Sequence, residues 1–124
     1  MNATLSQIAS WLEAEVLCGA DCLERQVCMC HGADLMSDVL AFSRPETLLM
    51  TGLTNPQVVR TAEVAGIFGV VFVRGKRPGE VVVALAKEYE LPLMVTQRSM
   101  FDACGLLFHH GLRGWSLRCD GREP

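Results

Sequence analysis

Ile67 to Gly79 reads IFGVVFVRGKRPG. Its first half, Ile67 to Val73, is apolar or glycine throughout, rich in β-branched and aromatic side chains, and far too short to span a membrane. A run of that kind suits a strand covered on both faces, as in a parallel sheet held between helices. At Arg74 the character flips within one residue to Arg-Gly-Lys-Arg-Pro. A buried strand that empties into a basic turn and then a proline-started helix gathers cations and free helix N–H groups at one sheet edge. That is a candidate anion site.

The alternation repeats on both sides of this stretch. Thr47 to Met50 is an apolar strand, and Thr51-Gly52-Leu53-Thr54 leads into Asn55-Pro56, an N-cap residue followed by proline at the first helical position. The spacing predicts a helix from Pro56 to about Ala65, with Val58, Val59, Ala62 and Ala65 inward and Gly66 closing it. A second runs from Pro78 to about Glu90 with Val81, Val82, Leu85 and Tyr89 inward, and Leu93 to Val95 follows as a short strand. Ser99, with Asp102 three residues on, opens a helix that buries Met100, Cys104, Leu107 and Phe108 and stops before Gly111.

Upstream, Thr4 and Gln7 fit a capping box for a helix from about Leu5 to Glu15, with Leu5, Ile8, Leu12 and Val16 on its stripe and a turn near Gly19. Val27 to Cys30 reads as a short strand. Asp34 to Phe42 reads as a helix capped by Asp34, with Leu35, Val39 and Phe42 inward. Trp115 to Leu117 is a candidate edge strand in an otherwise aperiodic end. Strands alternating with helices of this length mean successive right-handed crossovers, hence α/β: a three-layer α/β/α sandwich with a mainly parallel sheet.

Composition narrows the function. With 124 residues, half of them hydrophobic and 20% charged, the chain can bury one real core. A net charge of −3 offers no broad positive field to collect phosphates, so nucleic acid is not an expected partner. The first residues lack a basic segment and carry Glu13 and Glu15 in their apolar stretch, unlike a signal peptide. No run approaches the ~18 apolar residues of a membrane helix. These features predict a cytoplasmic protein without a membrane partner, its six cysteines reduced.

The stretches DLMSDVLAF, LLMTGLTNPQVVRTAEVAG and VVFVRGKRPGEVVVALAKEYELPLMVTQRSMFDACGLL resemble the DRTGG domain. The same region is similar to the N-terminal, non-catalytic domain of HPr kinase/phosphorylase, with SRPETLLMTG echoing one of its strand segments. The resemblance covers roughly 27–108 and implies one DRTGG-like domain over 1–111, with 112–124 as a tail. The name-giving Asp-Arg has no counterpart, since Leu53-Thr54 follow Gly52, and Thr-Gly-Gly aligns with Arg74-Gly75-Lys76. No G-x-x-x-x-G-K-S/T loop is present to cradle ATP phosphates, so kinase activity is not carried over. The resemblance implies a regulatory module; relatives are fused to nucleotide-sensing CBS domains or associated with iron-only hydrogenase gene sets.

Three constellations carry the functional reading. The first is the trio of turns at strand carboxyl ends, with Thr51, Gly52, Thr54, Asn55, Arg74, Gly75, Lys76, Arg77, Thr96 and Ser99 offering hydroxyls, amides and cations to a phosphate or carboxylate. The second is Asp34, Ser37 and Asp38, two carboxylates four apart on one helix face, equally explained as cap and first-turn charge. The third is Cys18, Cys22, Cys28 and Cys30, four thiols whose spacing departs from the usual metal knuckles and which alternatively serve as small core residues. His109 and His110 favour a helix C-terminus, and Cys104 and Cys119 read as structural. No nucleophile has a recognisable base, and no cofactor is expected. The expectation is a non-catalytic regulatory domain that binds a small anionic ligand, a partner protein or both, linked to hydrogenase or carbohydrate regulation, and forms a homodimer. The alternatives are a pure protein-interaction module and a metal or iron–sulfur protein built on the cysteines.

Overall fold

A computed structural model describes residues 2–114. The elements in chain order are β1 (Ala3–Thr4), α1 (Leu5–Leu12), β2 (Glu15–Cys18), a 3-10 turn (Ala20–Cys22), β3 (Gln26–Val27), β4 (Met29–Gly32), α2 (Met36–Phe42), β5 (Thr47–Thr51), α3 (Pro56–Ala65), β6 (Gly69–Phe72), α4 (Glu80–Glu88), β7 (Leu93–Val95) and α5 (Met100–His109). The main sheet has the order β2-β7-β6-β5-β4, while β1 and β3 form a separate two-residue ladder. β4, β5, β6 and β7 run parallel, and β2 closes one edge antiparallel to β7.

Because β4 to β7 are laid down side by side in one direction, their three crossovers place α2, α3 and α4 on a single face. Met36, Val39, Val58, Val59, Ala62, Val82 and Ala86 meet Leu49, Val70, Phe72, Leu93 and Val95 there. On the other face α1 and α5 bring Leu5, Ile8, Leu12, Ala103 and Leu107 against Leu48, Met50, Val71, Val73 and Met94. Successive residues of β6 thus enter opposite cores, as the two-residue period of a strand demands. Every residue from Val70 to Val73 is essentially inaccessible, which bears out the doubly covered strand and the three-layer architecture.

Four readings of local structure need correction. α1 stops at Leu12: Glu13 turns left-handed (φ 52) and its N–H closes onto Ala9 and Ser10 carbonyls. Glu15 to Cys18 is therefore the edge strand β2, not the end of a helix. The expected Val27–Cys30 strand is split at Cys28, so that Cys28 and Cys30 do not share a continuous strand face. α2 starts at Met36 with Leu35 at its cap position, and it is Met36 and Val39 that are buried, while Leu35 and Phe42 are exposed. On α4 and α5 the inward stripes are rotated: Val82 and Ala86, and Ala103 and Leu107, are buried, whereas Val81, Tyr89 and Phe108 are exposed.

The α5 cap is as expected, with Ser99 Oγ accepting from the Asp102 N–H at 3.1 Å. Packing continues beyond 111, where Leu112 is buried and the Cys30 N–H donates to the Arg113 carbonyl at 3.0 Å. The candidate strand Trp115 to Leu117, and Cys119, lie outside the described residues.

Candidate functional site

The parallel strands point their carboxyl ends to one edge, which collects the turns after β4, β5, β6 and β7. Clefts in such sheets open where neighbouring strands send their following helices to opposite faces. Here that point lies between β6, which leads to α4 on one face, and β7, which leads to α5 on the other. The chain stitches its own turns together there: the Arg74 N–H donates to the Arg98 carbonyl and the Gly75 N–H to the Thr96 carbonyl, both at 2.8 Å. Beside the stitch lies an open cleft of about 470 Å³ lined by Leu12, Glu13, Thr96, Gln97 and Arg98.

Asp34 belongs to this edge. It precedes α2 rather than capping it, so Asp34, Ser37 and Asp38 do not form a carboxylate pair on one helix face. Its Oδ1 accepts from the Thr51 hydroxyl at 2.9 Å and from the Gly52 N–H at 2.8 Å. Above Gly52, where a Cβ would lie, Arg74 Nη2 stands 3.5 Å away and the two Asp34 oxygens 3.7 and 3.8 Å away. Arg74 reaches that position from a left-handed backbone (φ 58). For a residue with a Cβ this conformation costs about 1–2 kcal/mol.

The expected ligand hydroxyls are mostly engaged. Thr51 Oγ1 donates to Asp34 and accepts from the Leu53 N–H at 3.1 Å. Thr96 Oγ1, fully buried, donates to the Leu12 carbonyl at 2.8 Å and accepts from the Arg98 N–H at 3.3 Å. Ser99 is committed to its helix. By contrast Asn55, at the N-cap of α3, makes no side-chain cap bond, and Lys76 is exposed.

Two carboxylates that the sequence reading left out answer the cations. Arg77 holds Glu15 of β2 through a two-pronged bridge at 2.7 and 3.0 Å. Hydrogen bonding to that guanidinium, then its charge, lowers the Glu15 pKa. Arg98 Nη2 meets Glu13 Oε1 at 2.8 Å, while Arg98 Nε is buried without a hydrogen-bond partner among the described residues. Gln97 lies against Gly75. Arg98 and Gln97 sit inside the Thr96–Ser99 turn, and their type and position were a usable signal. Glu13 and Glu15 had none, because each reaches this edge only through the unexpected turn and strand after α1.

The cysteines do not converge. Cys18 lies on β2 and Cys30 on β4, opposite edges of the five-stranded sheet and so about 19 Å apart at ordinary strand spacing. Among the described residues no group of three or more His, Cys, Asp or Glu is arranged to hold a metal ion. Burial pushes the Cys30 thiol up to about 12, with Cys104 adding to the shift. Cys28 is exposed. In the native protein at pH 8, Cys30 is therefore expected to alkylate far more slowly than the exposed Cys28, because burial both keeps reagent away and disfavours the reactive thiolate. Peptide mass spectrometry over a time course checks this; equal native rates would contradict the burial of Cys30. His31, which contacts Ser43 Oγ through Nδ1, has its pKa lowered by burial, partly offset by Asp38.

This arrangement of four parallel strands, an antiparallel edge and two helical layers has a known counterpart. The DRTGG domain family model matches residues 7–109. The chain belongs to the DRTGG domain family. The solved CBS and DRTGG domains of the regulatory region of Clostridium perfringens pyrophosphatase, complexed with the activator diadenosine tetraphosphate, are similar to this DRTGG domain with a TM-score of 0.70 at 16% identity. The match covers 84% of this chain and 45% of that one, so the chain spans less than half of its structural relative. At that identity the likeness establishes the fold. No curated protein sequence matches the chain. Among the described residues of this DRTGG domain no helix is long and apolar enough to cross a membrane.

Proposed function

We propose that the domain is a non-catalytic regulatory module, acting in the cytoplasm, that binds a small anionic ligand such as a nucleotide or phosphorylated metabolite at the carboxyl edge of its sheet. The observation that carries this reading is Arg74, held in a left-handed conformation with its guanidinium over Gly52 and beside Asp34. Backbone strain of that kind survives where the surroundings impose it, and it concentrates at ligand clamps. Asp34 occupies the Gly52 N–H as an internal anion. A phosphate oxygen arriving at Arg74 competes with it for that donor, and the amino end of α3, where Asn55 makes no side-chain cap bond, faces the same edge. Membership of the DRTGG family, and a structural relative whose regulatory region binds a nucleotide activator, support the ligand class.

A thermal-shift screen of nucleotides and phosphorylated metabolites, with diadenosine tetraphosphate as the first probe, tests the reading. At a hundred times its Kd, a ligand specific for the folded state stabilises by about 2.7 kcal/mol, on the order of a 10 °C rise in Tm for a domain of this size. The R74A/K76A/R77A triple variant should lose the shift. If no anion shifts the wild type, or the triple variant shifts equally, the carboxyl edge is not the site.

A further inference from the structure

We propose that Cys30, Met100 and Cys104 form a binding site for a soft monovalent metal ion, Cu(I), between the carboxyl end of β4 and the first turns of α5. Met100 and Cys104 are four residues apart on α5, and their Sδ and Sγ stand 3.8 Å apart. Both lie directly over Gly32 of β4, where an added Cβ would come within 2.9 Å of Cys104 Sγ and 3.1 Å of Met100 Sδ. Glycine weakens a strand and marks a point of close approach to its backbone. At Gly32 the missing side chain leaves room for the two sulfurs. Cys30 lies two residues earlier on β4, so its side chain leaves the same sheet face. It packs with Met100 and Cys104 against the α5-side core, and Cys30, Gly32 and Cys104 line one cavity of about 180 Å³. The two thiols sense each other: burial raises both pKa values, and the charge of Cys104 raises that of Cys30 further.

The donor set names the metal. Among the described residues no carboxylate or imidazole lines the cavity, whose other walls include Met50, Leu107, Phe108 and Leu112. Thiolate and thioether are soft ligands that select Cu(I). Zinc instead takes four ligands drawn from thiolate, imidazole and carboxylate. With metal–sulfur bonds of about 2.3 Å, the sulfurs around a planar three-coordinate ion stand about 4 Å apart. The Met100–Cys104 spacing is already close to that value. Each thiol releases its proton to solvent as its sulfur binds the ion. Two thiolates and Cu(I) carry one negative charge, which Arg113 in the cavity wall balances. Its guanidinium is fixed there by the Phe108 and Leu112 carbonyls, at 3.0 and 2.9 Å. Gly32 is exposed, which gives the ion a way in.

Titration of the reduced full chain with Cu(I) against the chelator bathocuproine disulfonate tests this, with native mass spectrometry counting the metal. The wild type should keep a single ion against the chelator, and loading should raise Tm. Cys30→Ser and Cys104→Ser should each lose that ion. Met100→Leu preserves volume and apolar character, so it should fold as the wild type does and yet give up Cu(I) at lower chelator concentration. The triple variant C22S/C28S/C119S keeps all three sulfurs and should bind as the wild type does. A wild type that surrenders all its copper overturns the proposal, and so does loss of the ion in the triple variant. Met100→Leu binding as tightly as wild type removes the thioether from the site, and Zn(II) displacing Cu(I) on equal terms overturns the choice of metal.

Discussion

Phe72→Ala is expected to lower the unfolding free energy by about 3–5 kcal/mol, the usual loss when a large aromatic is removed from a closed core. Phe72 is fully buried at the end of β6, the central strand, in the core that α3 and α4 form with the sheet. Its backbone is held from both sides, in register with Thr51 and Val95, so neighbouring strands cannot simply move in to fill the space. With a urea slope of about 1–3 kcal/mol/M, a loss of 4 kcal/mol moves the midpoint by about 2 M. A midpoint displaced by less than about 0.5 M would show that the core collapses around the gap. There is a functional consequence as well. The Thr96 N–H donates to the Phe72 carbonyl at 2.9 Å, directly beneath the Arg74 and Gly75 stitch. A loosened Phe72 should therefore also weaken anion binding at the carboxyl edge, even where the variant remains folded.

The parts of the fold written in local pattern were legible. The uninterrupted apolar run of β6 announced a strand buried on both faces, and Asn55-Pro56 and Ser99 marked helix starts within a residue. The parts set by distant contacts were not. The end of α1 was hidden because Glu13 occupies a left-handed position where glycine is the usual signal. Once that turn was missed, Val16 looked like one more helical apolar position, and β2 with its Glu15 disappeared from view. Asp34 was misread for a related reason. It has the right chemistry for a cap two residues from a helix, but its partners, Thr51 and Gly52, lie at and just past the end of the next strand.

The candidate site divides in the same way. The turns at the strand carboxyl ends, and the cations in them, follow from the βαβ alternation. Which groups are free does not. Thr51, Thr96 and Ser99 looked like ligand hydroxyls and are occupied within the chain. Arg77 looked free and is matched by Glu15. The edge is thus less basic than RGKRP suggests, and the weight shifts to Arg74, the one cation of that turn set above the Gly52 amide.

Gly19→Ala should be the most damaging single-methyl change in the amino-terminal half, at about 3 kcal/mol. Gly19 follows β2 with φ 80, a left-handed conformation that costs an alanine about 1–2 kcal/mol. The added methyl would also lie 2.5 Å from Pro92 Cα and 2.9 Å from Pro92 Cβ. Neither atom can swing away, because Pro92 leads directly into β7 and its carbonyl accepts from the Val70 N–H at 3.0 Å. Backbone must move, and overpacking of this kind adds about 1–3 kcal/mol. Gly66→Ala supplies the control: φ is 72, but the nearest atom is a Pro45 side-chain carbon at 3.3 Å, so mainly the same conformational cost of about 1–2 kcal/mol remains. Urea midpoints of the two variants should differ by roughly 1 M in that order; equal midpoints would mean that the Pro92 contact relaxes freely. The strand that must yield at Gly19 is the antiparallel edge β2, which brings Glu15 to Arg77. Glu15 pairs with Val95 at the other end of β2, away from Gly19, so the folded fraction of Gly19→Ala should keep the Arg77 bridge and bind anions as wild type does while being far less stable.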